Sequence, residues 1–155
     1  MKALAAQQPC PCGRLAGPRV NAMAHALGSK PGTAGKPLAY GDCCGRWLEP
    51  CAQSATPPDA ESLMRSRYSA FVLERAAYLL ESWSASHRPE SIAFDPGVKW
   101  LGLDLRDHRQ TGEAAAEVEF VARQKPVNGP AVRLHERSRF VLEAGHWLYV
   151  DGDQL

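Results

Sequence analysis

This sequence has no long apolar run and no cysteine after Cys51. A membrane-spanning helix needs about 20 consecutive, mostly apolar residues, and every apolar stretch of this chain is much shorter. Residues 1–13 hold one lysine and a brief apolar stretch, which is too little for a secretory signal peptide. The sequence therefore predicts a cytoplasmic protein with no membrane partner.

Motifs of common catalytic and nucleotide-binding sites are also absent. The glycines at 28–35 follow no strand pattern and do not lead into Gly-Lys-Ser/Thr, as a phosphate-binding loop would. There is no nucleophile elbow and no metalloprotease helix. The acidic and histidine candidates for acid–base chemistry show no catalytic spacing; they are Asp104, Asp107, His108, His135 and Asp151. The sequence therefore favours a protein that is not an enzyme, but it does not exclude one.

Charge is nearly balanced over the chain but unevenly distributed along it. The 155 residues carry a formal net charge of +1, and 23% of them are charged. Residues 1–56 hold six Lys or Arg against two Asp or Glu, whereas residues 57–155 hold twelve against fifteen. This basic bias is too weak to indicate a nucleic-acid partner. Length and composition fit one globular domain with a small appendage.

Four of the five cysteines form two close pairs, Cys10/Cys12 and Cys43/Cys44. Residues two apart in an extended segment point the same way, and Gly13 permits the tight turn that a metal knuckle needs. Reduced cytosolic thiols clustered like this are more often metal ligands than disulfides. We predict a closed Zn²⁺ site with these four ligands. The alternatives are a redox or catalytic thiol pair, or four inert buried thiols.

Two further potential ligands lie outside this pattern. Cys51 follows a proline away from both pairs and is predicted to be a free thiol. His25 lies between the pairs and could substitute for a ligand, although a lone loop histidine is usually solvated.

Helical signals occupy the middle of the chain. A helix is predicted to begin at residues 56–59, where Thr56 can cap, Pro57 suits the first helical position and Asp59 stands three residues on, as in a capping box. Side chains at helical spacing then share one face: Ala60, Met64, Tyr68, Phe71 and Arg75. Further helices are predicted over 76–83 and, within the early insertion, over 20–27.

Period-two alternation follows, over 98–107, 116–125, 132–143 and 147–151. One face of these strands would carry the apolar residues Leu101, Leu103, Leu105, Val118, Phe120, Ala122, Val132, Leu134, Phe140 and Leu142. Turns are indicated at Asn128-Gly129 and Ala144-Gly145. Helices followed by an antiparallel meander predict an α+β fold with helices on one face of a curved sheet.

These residues carry a family resemblance. Cys-Pro-Cys-Gly followed by Tyr-x-x-Cys-Cys resembles the SEC-C motif, a short zinc knuckle. The remainder resembles the YchJ-like family in segments that span nearly the whole chain, namely 63–72, Tyr78-Leu79, Trp83, 100–103, 120–123, 136–140, Trp147, Tyr149 and Asp151-Gly152.

The resemblance implies a knuckle over residues 1–56 and a nuclear-transport-factor-2-like cone over 57–155, with helices packed in the concave face of a curved sheet. It implies no particular activity. The chain departs from the family pattern in the spacing of its cysteine pairs, because 30 residues (13–42) separate Cys12 from Cys43. The long insertion, about residues 15–36, costs little closure entropy but puts the local geometry of the knuckle in question.

Six polar residues are candidates for the lining of a pocket in the cone: Arg65, Tyr68, His135, Arg137, Arg139 and Asp151. Because Arg65 and Arg67 are two apart on a helix, at most one of them can face inward with Tyr68. The alternative for the strand arginines is a solvated stripe opposite Leu134 and Phe140. Asp151 would pair with one of these arginines.

The sequence thus predicts a zinc-binding protein that works by recognition, with the knuckle docking a protein partner and the cone holding a small molecule or peptide. The alternative is an enzyme that uses the cone pocket. That alternative predicts a cavity in which a carboxylate or histidine faces a tyrosine or arginine, and a pocket filled by Phe71 and Trp100 would contradict it.

Overall fold

The computed structural model describes residues 1–17, 35–49 and 55–155. His25, Cys51 and the helix predicted over 20–27 lie outside these residues, and the division of the chain at residue 56/57 stays a prediction. A 3₁₀ turn at Tyr40–Asp42 comes first. Three helices and four strands follow: α1 (Gly45–Leu48), α2 (Ala60–Leu73), α3 (Ala76–Glu81), β1 (Lys99–Gly112), β2 (Ala115–Lys125), β3 (Val132–Glu143) and β4 (His146–Gln154).

Helix α2 begins later than its sequence indicates. Its N-cap is Asp59, whose carboxylate accepts a hydrogen bond of 2.7 Å from the backbone N–H of Ser62. The prediction of Thr56 as cap and Pro57 as first helical residue was wrong. A residue that precedes proline disfavours the helical conformation, so Pro58 keeps Pro57 out of the helix and Asp59 becomes the first residue able to cap it.

A left-handed residue ends α2. Glu74 has φ 58° and ψ 50°, and its backbone N–H donates to the carbonyls of Ala70 and Phe71. Arg75 therefore lies outside α2 rather than on its predicted face. Helix α3 is a separate short helix that ends two residues before Trp83.

The four strands form one antiparallel sheet in the order β1-β2-β3-β4. Each strand pairs with the next along the chain, and Ala144 and Gly145 connect β3 to β4 with positive φ angles of 49° and 80°. The predicted α+β class is confirmed. Strands β1 and β4 are longer than predicted, because pairing extends their polar ends to Gly112 and Gln154.

Bulges curve the sheet and change which side chains face inward. Strand β1 has three register shifts against β2, and the first makes Leu101 an extra residue between Trp100 and Gly102. Gly102 has φ 139°, a backbone conformation that residues with a side chain rarely adopt. Trp100 and Leu103 consequently both pack on the core, whereas Leu101 is exposed. Placing Leu101 on the inner face was wrong, since strict alternation fails at a bulge.

A second important bulge lies in β4. Arg139 of β3 pairs with Asp151, and the next residue, Phe140, pairs with Tyr149, so Val150 is the extra residue. The backbone carbonyl of Val150 accepts a hydrogen bond from Trp83 Nε1 at 3.0 Å. This bulge turns Asp151 to the outer face although it has the same parity as Tyr149.

Helix α2 packs on two sides, which places it at the centre of the core. Toward the sheet, Tyr68 meets Trp100 edge-on with ring centroids 5.4 Å apart. Toward the N-terminal segment, Ser69 Oγ lies 3.8 Å from Cys10 Sγ and Ser62 Oγ accepts a 3.1 Å hydrogen bond from Arg14. One continuous cluster of buried side chains joins the two sides. The described helices include none with both the length and the apolar character to span a bilayer.

Candidate metal centre and central cavity

The sulfur atoms of the two cysteine pairs converge at one point. All four lie within 4.8 Å of one another, with 3.6 Å between Cys12 and Cys43 and 3.9 Å between Cys43 and Cys44. Four thiolates around one Zn²⁺ with Zn–S bonds of about 2.3 Å would lie about 3.8 Å apart. The cysteines are at most 3% exposed. This arrangement matches a closed tetrahedral set of four sulfur ligands.

A short backbone ladder brings the distant pairs together. Pro9 bridges Ala39 and Leu15 bridges Pro37 in antiparallel fashion. Within the ladder the N–H of Cys10 donates to the Leu38 carbonyl at 2.9 Å. The described ends of the insertion therefore lie side by side. This pairing explains how two cysteine pairs separated by 30 residues come together. The knuckle is the name used below for residues 9–16 and 36–48.

Local turns aim each pair at the same point. Gly13 has φ 68°, and its N–H donates to the Cys10 carbonyl at 3.0 Å, which closes the tight turn predicted from the sequence. Cys43 ends the 3₁₀ turn and Cys44 is the N-cap of α1. Two adjacent cysteines can thus direct their sulfur atoms to one centre, because the chain changes direction between two short helical turns.

The four thiols interact so closely that their ionisation is linked. Contacts with the thiols of Cys12, Cys43 and Cys44 lower the pKa of Cys10. Contacts with Cys10, Cys12 and Cys43, together with burial, raise the pKa of Cys44. Adjacent thiolates repel one another in a buried site, so four of them require a cation between them. The donor set suits zinc by number, type and spacing.

Two arginines flank the sulfur cluster and share one carboxylate. Glu61 accepts hydrogen bonds from Arg65 at 2.8 Å and from Arg14 at 3.2 Å. Burial acts to raise the pKa of Glu61, but these arginines lower it below its ordinary value. Arg65 also donates to the Cys12 carbonyl at 3.3 Å. Arg65 therefore lies on the knuckle side of α2, and its placement in the pocket lining was wrong.

A cavity of about 340 Å³ lies between α2 and the inner face of the sheet. Apolar and aromatic side chains form much of its wall, among them Met64, Phe71, Phe94, Trp83, Trp100 and Phe120. Polar and charged residues also line it, among them Lys2, Arg67, Tyr68, Glu74, Asp95, Gln124, Glu136 and Tyr149. Phe71 and Trp100 therefore line the space without filling it.

Arg67 is the buried cation of this cavity. Only 4% of the residue is exposed, and Nη1 donates to the Leu79 carbonyl at 2.8 Å and to Ser82 Oγ at 2.7 Å. Its guanidinium carbon lies 4.9 Å from the ring centroid of Trp83 and 4.4 Å from that of Tyr149. Because these two rings are only 5.0 Å apart and nearly perpendicular, the guanidinium packs against the pair from one side. Burial lowers the pKa of Arg67 to about 10, so Arg67 stays protonated at neutral pH.

Glu136 places a carboxylate on the wall of the same cavity. It accepts hydrogen bonds from Ser138 Oγ at 2.7 Å, Tyr149 Oη at 3.1 Å and Gln154 Nε2 at 2.9 Å. A Cβ atom at Gly152 would lie 2.2 Å from Glu136 Oε1, so only glycine leaves the carboxylate where it is. The cavity thus contains a carboxylate that faces a tyrosine.

Tyr68 is the one member of the predicted pocket lining that the cavity contains, and burial raises its pKa to about 12. The strand candidates lie on the outer face of the sheet. Glu119 accepts hydrogen bonds from His135 and Arg137 at 2.8 and 2.7 Å, and Arg139 contacts Asp151 at 2.5 Å. The predicted pairing of Asp151 with an arginine is confirmed. Placing these four residues in the pocket was wrong, because their strand positions face outward.

Sequence reasoning missed Arg67 and Glu136 as cavity residues. The helical argument allowed one of Arg65 and Arg67 to face inward and chose the wrong one. Three small serines at helical spacing, Ser62, Ser66 and Ser69, are the signal that could have decided it. They mark the side of α2 that the knuckle approaches closely, so Arg65 belongs to that side and Arg67 to the other.

Comparison with known proteins gives consistent matches. Residues 59–152 match the family described as "YchJ, middle NTF2-like domain". A UPF0225 protein of Polaromonas sp. strain JS666 is 63% identical over 145 residues, covering 93% of this chain and 91% of that protein. A UPF0225 protein of Methylibium petroleiphilum is 50% identical over 146 residues, covering 94% and 88%.

Two solved structures share the fold. A solution structure of a SEC-C motif containing protein from Rhodopseudomonas palustris gives a TM-score of 0.67 at 30% identity, covering 78% of this chain and 95% of that one. A crystal structure of a SEC-C motif containing protein from Psychrobacter arcticus gives 0.67 at 28% identity, covering 94% and 82%. Both neighbours are named for the motif that the cysteine pairs resemble.

Proposed function

The chain belongs to the YchJ family of UPF0225 proteins, and on this premise we propose that it is a cytoplasmic zinc-binding protein that works by recognition. In this proposal one Zn²⁺ at Cys10, Cys12, Cys43 and Cys44 holds the knuckle together. The knuckle docks a protein partner, and the cavity of the cone holds a small molecule.

The convergence of four buried sulfur atoms carries the zinc part of the proposal. No disulfide joins any of the four cysteines in the described part of the chain, and their sulfur spacing suits tetrahedral coordination better than a redox pair. Reduced thiols of this kind persist in the cytoplasm. Because no water or substrate position remains when four protein ligands bind one ion, the site would be structural rather than catalytic.

Metal analysis of the purified protein tests this part. We expect one zinc per chain and four thiols that resist alkylation until a chelator is added. Cys51→Ser should keep the full zinc content, since Cys51 is predicted to be a free thiol. A metal-free chain whose four thiols react at once would refute the proposal.

Docking by the knuckle is supported by two apolar side chains that remain at least partly exposed. Leu15 is 50% exposed, and Trp47 is only partly buried with the Arg46 guanidinium 5.8 Å from its ring. A pull-down experiment tests this part. It compares the proteins bound by the tagged wild type with those bound by a Leu15→Asp/Trp47→Ala variant, both of them zinc-loaded. We expect a partner that the variant loses, whereas identical sets of bound proteins would contradict docking at this surface.

Binding of a small molecule is supported by the size and chemistry of the cavity. Ligand pockets are concave, mostly apolar and contain a few polar groups that fix orientation, and this cavity has those properties at the small end of the usual range. A volume of about 340 Å³ suits a small molecule better than the peptide that the sequence also allowed.

An enzyme in the cone is the second candidate, because Glu136 faces Tyr149 inside a cavity. Three donors already occupy the carboxylate of Glu136, which favours a structural or ligand-orienting role over proton transfer. Following a bound ligand by NMR over hours separates the two candidates. Recovery of the ligand unchanged supports a binding protein, and conversion that stops in Glu136→Gln supports an enzyme.

A further inference from the structure

The cavity is lined by Arg67, which uses two of its five N–H donors within the part of the chain that the structure describes. Nη1 of Arg67 spends both its hydrogens on Leu79 and Ser82. Among the residues that the structure describes, Nε and Nη2 have no hydrogen-bond partner, and no carboxylate lies within salt-bridge distance of the guanidinium. Every fully enclosed side-chain nitrogen or oxygen in that part of the chain has a partner. Nε and Nη2 therefore face open space, which is the cavity that Arg67 lines.

The orientation of this free edge is fixed. Contacts with the adjoining rings of Trp83 and Tyr149, together with the two bonds from Nη1, hold the guanidinium in this position. Nε–H and one Nη2–H then point the same way and form the side-on fork that can donate to both oxygens of a carboxylate. A buried cation with an open fork is an anion site that requires no rearrangement of the protein.

None of the three carboxylates that line the cavity, Glu74, Asp95 and Glu136, fills this role. Glu136 receives its own three donors from Ser138, Tyr149 and Gln154, and Gly152 leaves room for it there. Glu136 and Asp95 both add negative charge to the cavity wall, whereas Glu74 is paired with Lys2. This negative charge disfavours a ligand with two negative charges. The site therefore suits one negative charge.

The rest of the wall indicates the body of the ligand. Phe71 meets Phe94 edge-on with ring centroids 6.3 Å apart, and it lies 5.9 Å from Trp100. These rings line the same cavity as Arg67. Aromatic walls favour flat apolar groups through edge and face contacts, and about 340 Å³ of space holds only a small molecule.

We propose that the cavity binds a small monocarboxylate with a flat apolar body, its carboxylate held side-on by Nε and Nη2 of Arg67 and its body against Phe71 and Trp100. This inference rests on the proposed role of the cone as a small-molecule site and names the chemical class of its ligand.

Titration of the zinc-loaded full chain with 3-phenylpropionate and its neutral analogue 3-phenylpropanamide tests the proposal. NMR would follow the Arg67 Nε–H and the indole N–H groups of Trp83 and Trp100. We expect saturable binding of the acid, at least about tenfold tighter than binding of the amide, because charge-assisted bonds to a carboxylate exceed those to a neutral oxygen. Nuclear Overhauser contacts should place the phenyl ring beside Phe71.

Two variants sharpen the test. Arg67→Gln should weaken acid binding to the level of the amide, and Arg67→Lys should fall between, since lysine keeps the charge and loses the fork. Arg137→Gln is the matched control, because Arg137 lies on the outer face, and it should bind the acid as the wild type does. If the Arg67 variants do not fold, the ratio of acid to amide in the wild type decides.

Equal affinity for acid and amide would overturn the monocarboxylate proposal and leave the cone as a small-molecule site. Unchanged acid binding in a folded Arg67→Gln variant would overturn it in the same way. If the zinc-loaded chain bound neither compound, both this proposal and the proposed role of the cone would fail, and the zinc content would still report separately on the knuckle.

Discussion

Helix α2 separates two sites of opposite character. On one side, four buried sulfur atoms lie against one another and, as a zinc site, would leave no free ligand position. On the other side, a cavity of about 340 Å³ is lined by an arginine, two of whose nitrogen atoms bond to no residue that the structure describes. A closed set of ligands serves stability and an open set serves binding. The comparison predicts that damage to the knuckle unfolds the protein, whereas damage to the cavity mainly removes its ligand.

Loss of one sulfur ligand should have the largest effect. Cys43→Ser removes a sulfur atom that lies within 3.9 Å of the sulfur atoms of both Cys12 and Cys44. We expect loss of zinc and a fall of at least about 3 kcal/mol in the free energy of unfolding, because the binding energy of a structural zinc is also folding energy. Urea unfolding with and without a chelator measures it. A variant as stable as the wild type would mean that the knuckle does not support the core.

Replacement of the buried arginine should rank second. Arg67→Met keeps the apolar stem but loses the bonds to Leu79 and Ser82 and the stacking on Trp83. Relief from burying a charge offsets part of that loss, so we expect destabilisation of about 1–3 kcal/mol with full zinc content retained. Urea unfolding and metal analysis of the same sample measure both. Zinc loss in this variant would show that the two sites are not independent.

Removal of the N-cap of α2 should destabilise the protein less. It should affect only the first turn of α2, the helix that lies between the two sites. Asp59→Ala leaves the N–H of Ser62 without its partner, and we expect a loss of about 1 kcal/mol. Thr56→Ala is the matched control and should change nothing, since the cap is Asp59. Equal effects of the two substitutions in urea unfolding would contradict the assignment of the cap.

The outer face of the sheet should show the smallest effect. Arg139 lowers the pKa of Asp151 through a hydrogen bond, so the contribution of this pair is present above the ordinary carboxyl pKa and is lost as pH falls through the lowered one. Because the groups are solvent-exposed, Arg139→Gln should barely alter stability at neutral pH, and any difference should vanish in high salt. A large loss of stability would mean that this stripe belongs to the core.

The knuckle could be predicted from the sequence far better than the cavity. Residues that are adjacent or two apart are held together by local geometry, so the spacing predicted that Cys10, Cys12, Cys43 and Cys44 would lie together, as they do; their binding of zinc stays a proposal. The ladder that pairs residues 9–16 with 36–39 could not be predicted from the spacing, because it depends on pairing across a long insertion.

The cavity depends on long-range register, which a sequence does not fix. The α+β order and the alternation of Val118, Phe120 and Ala122 were predictable, because period two holds in regular strands. Leu101 and Asp151 were misplaced because single-residue bulges reversed their faces. Arg67 was passed over because only the packed knuckle decides which side of α2 faces the sheet.

X-ray absorption at the zinc edge on the protein as purified tests the central claim most directly. The account predicts one zinc per chain with four sulfur neighbours at about 2.3 Å and no nitrogen or oxygen ligand. Fewer than four sulfur neighbours, or a protein that is folded and stable without metal, would contradict it.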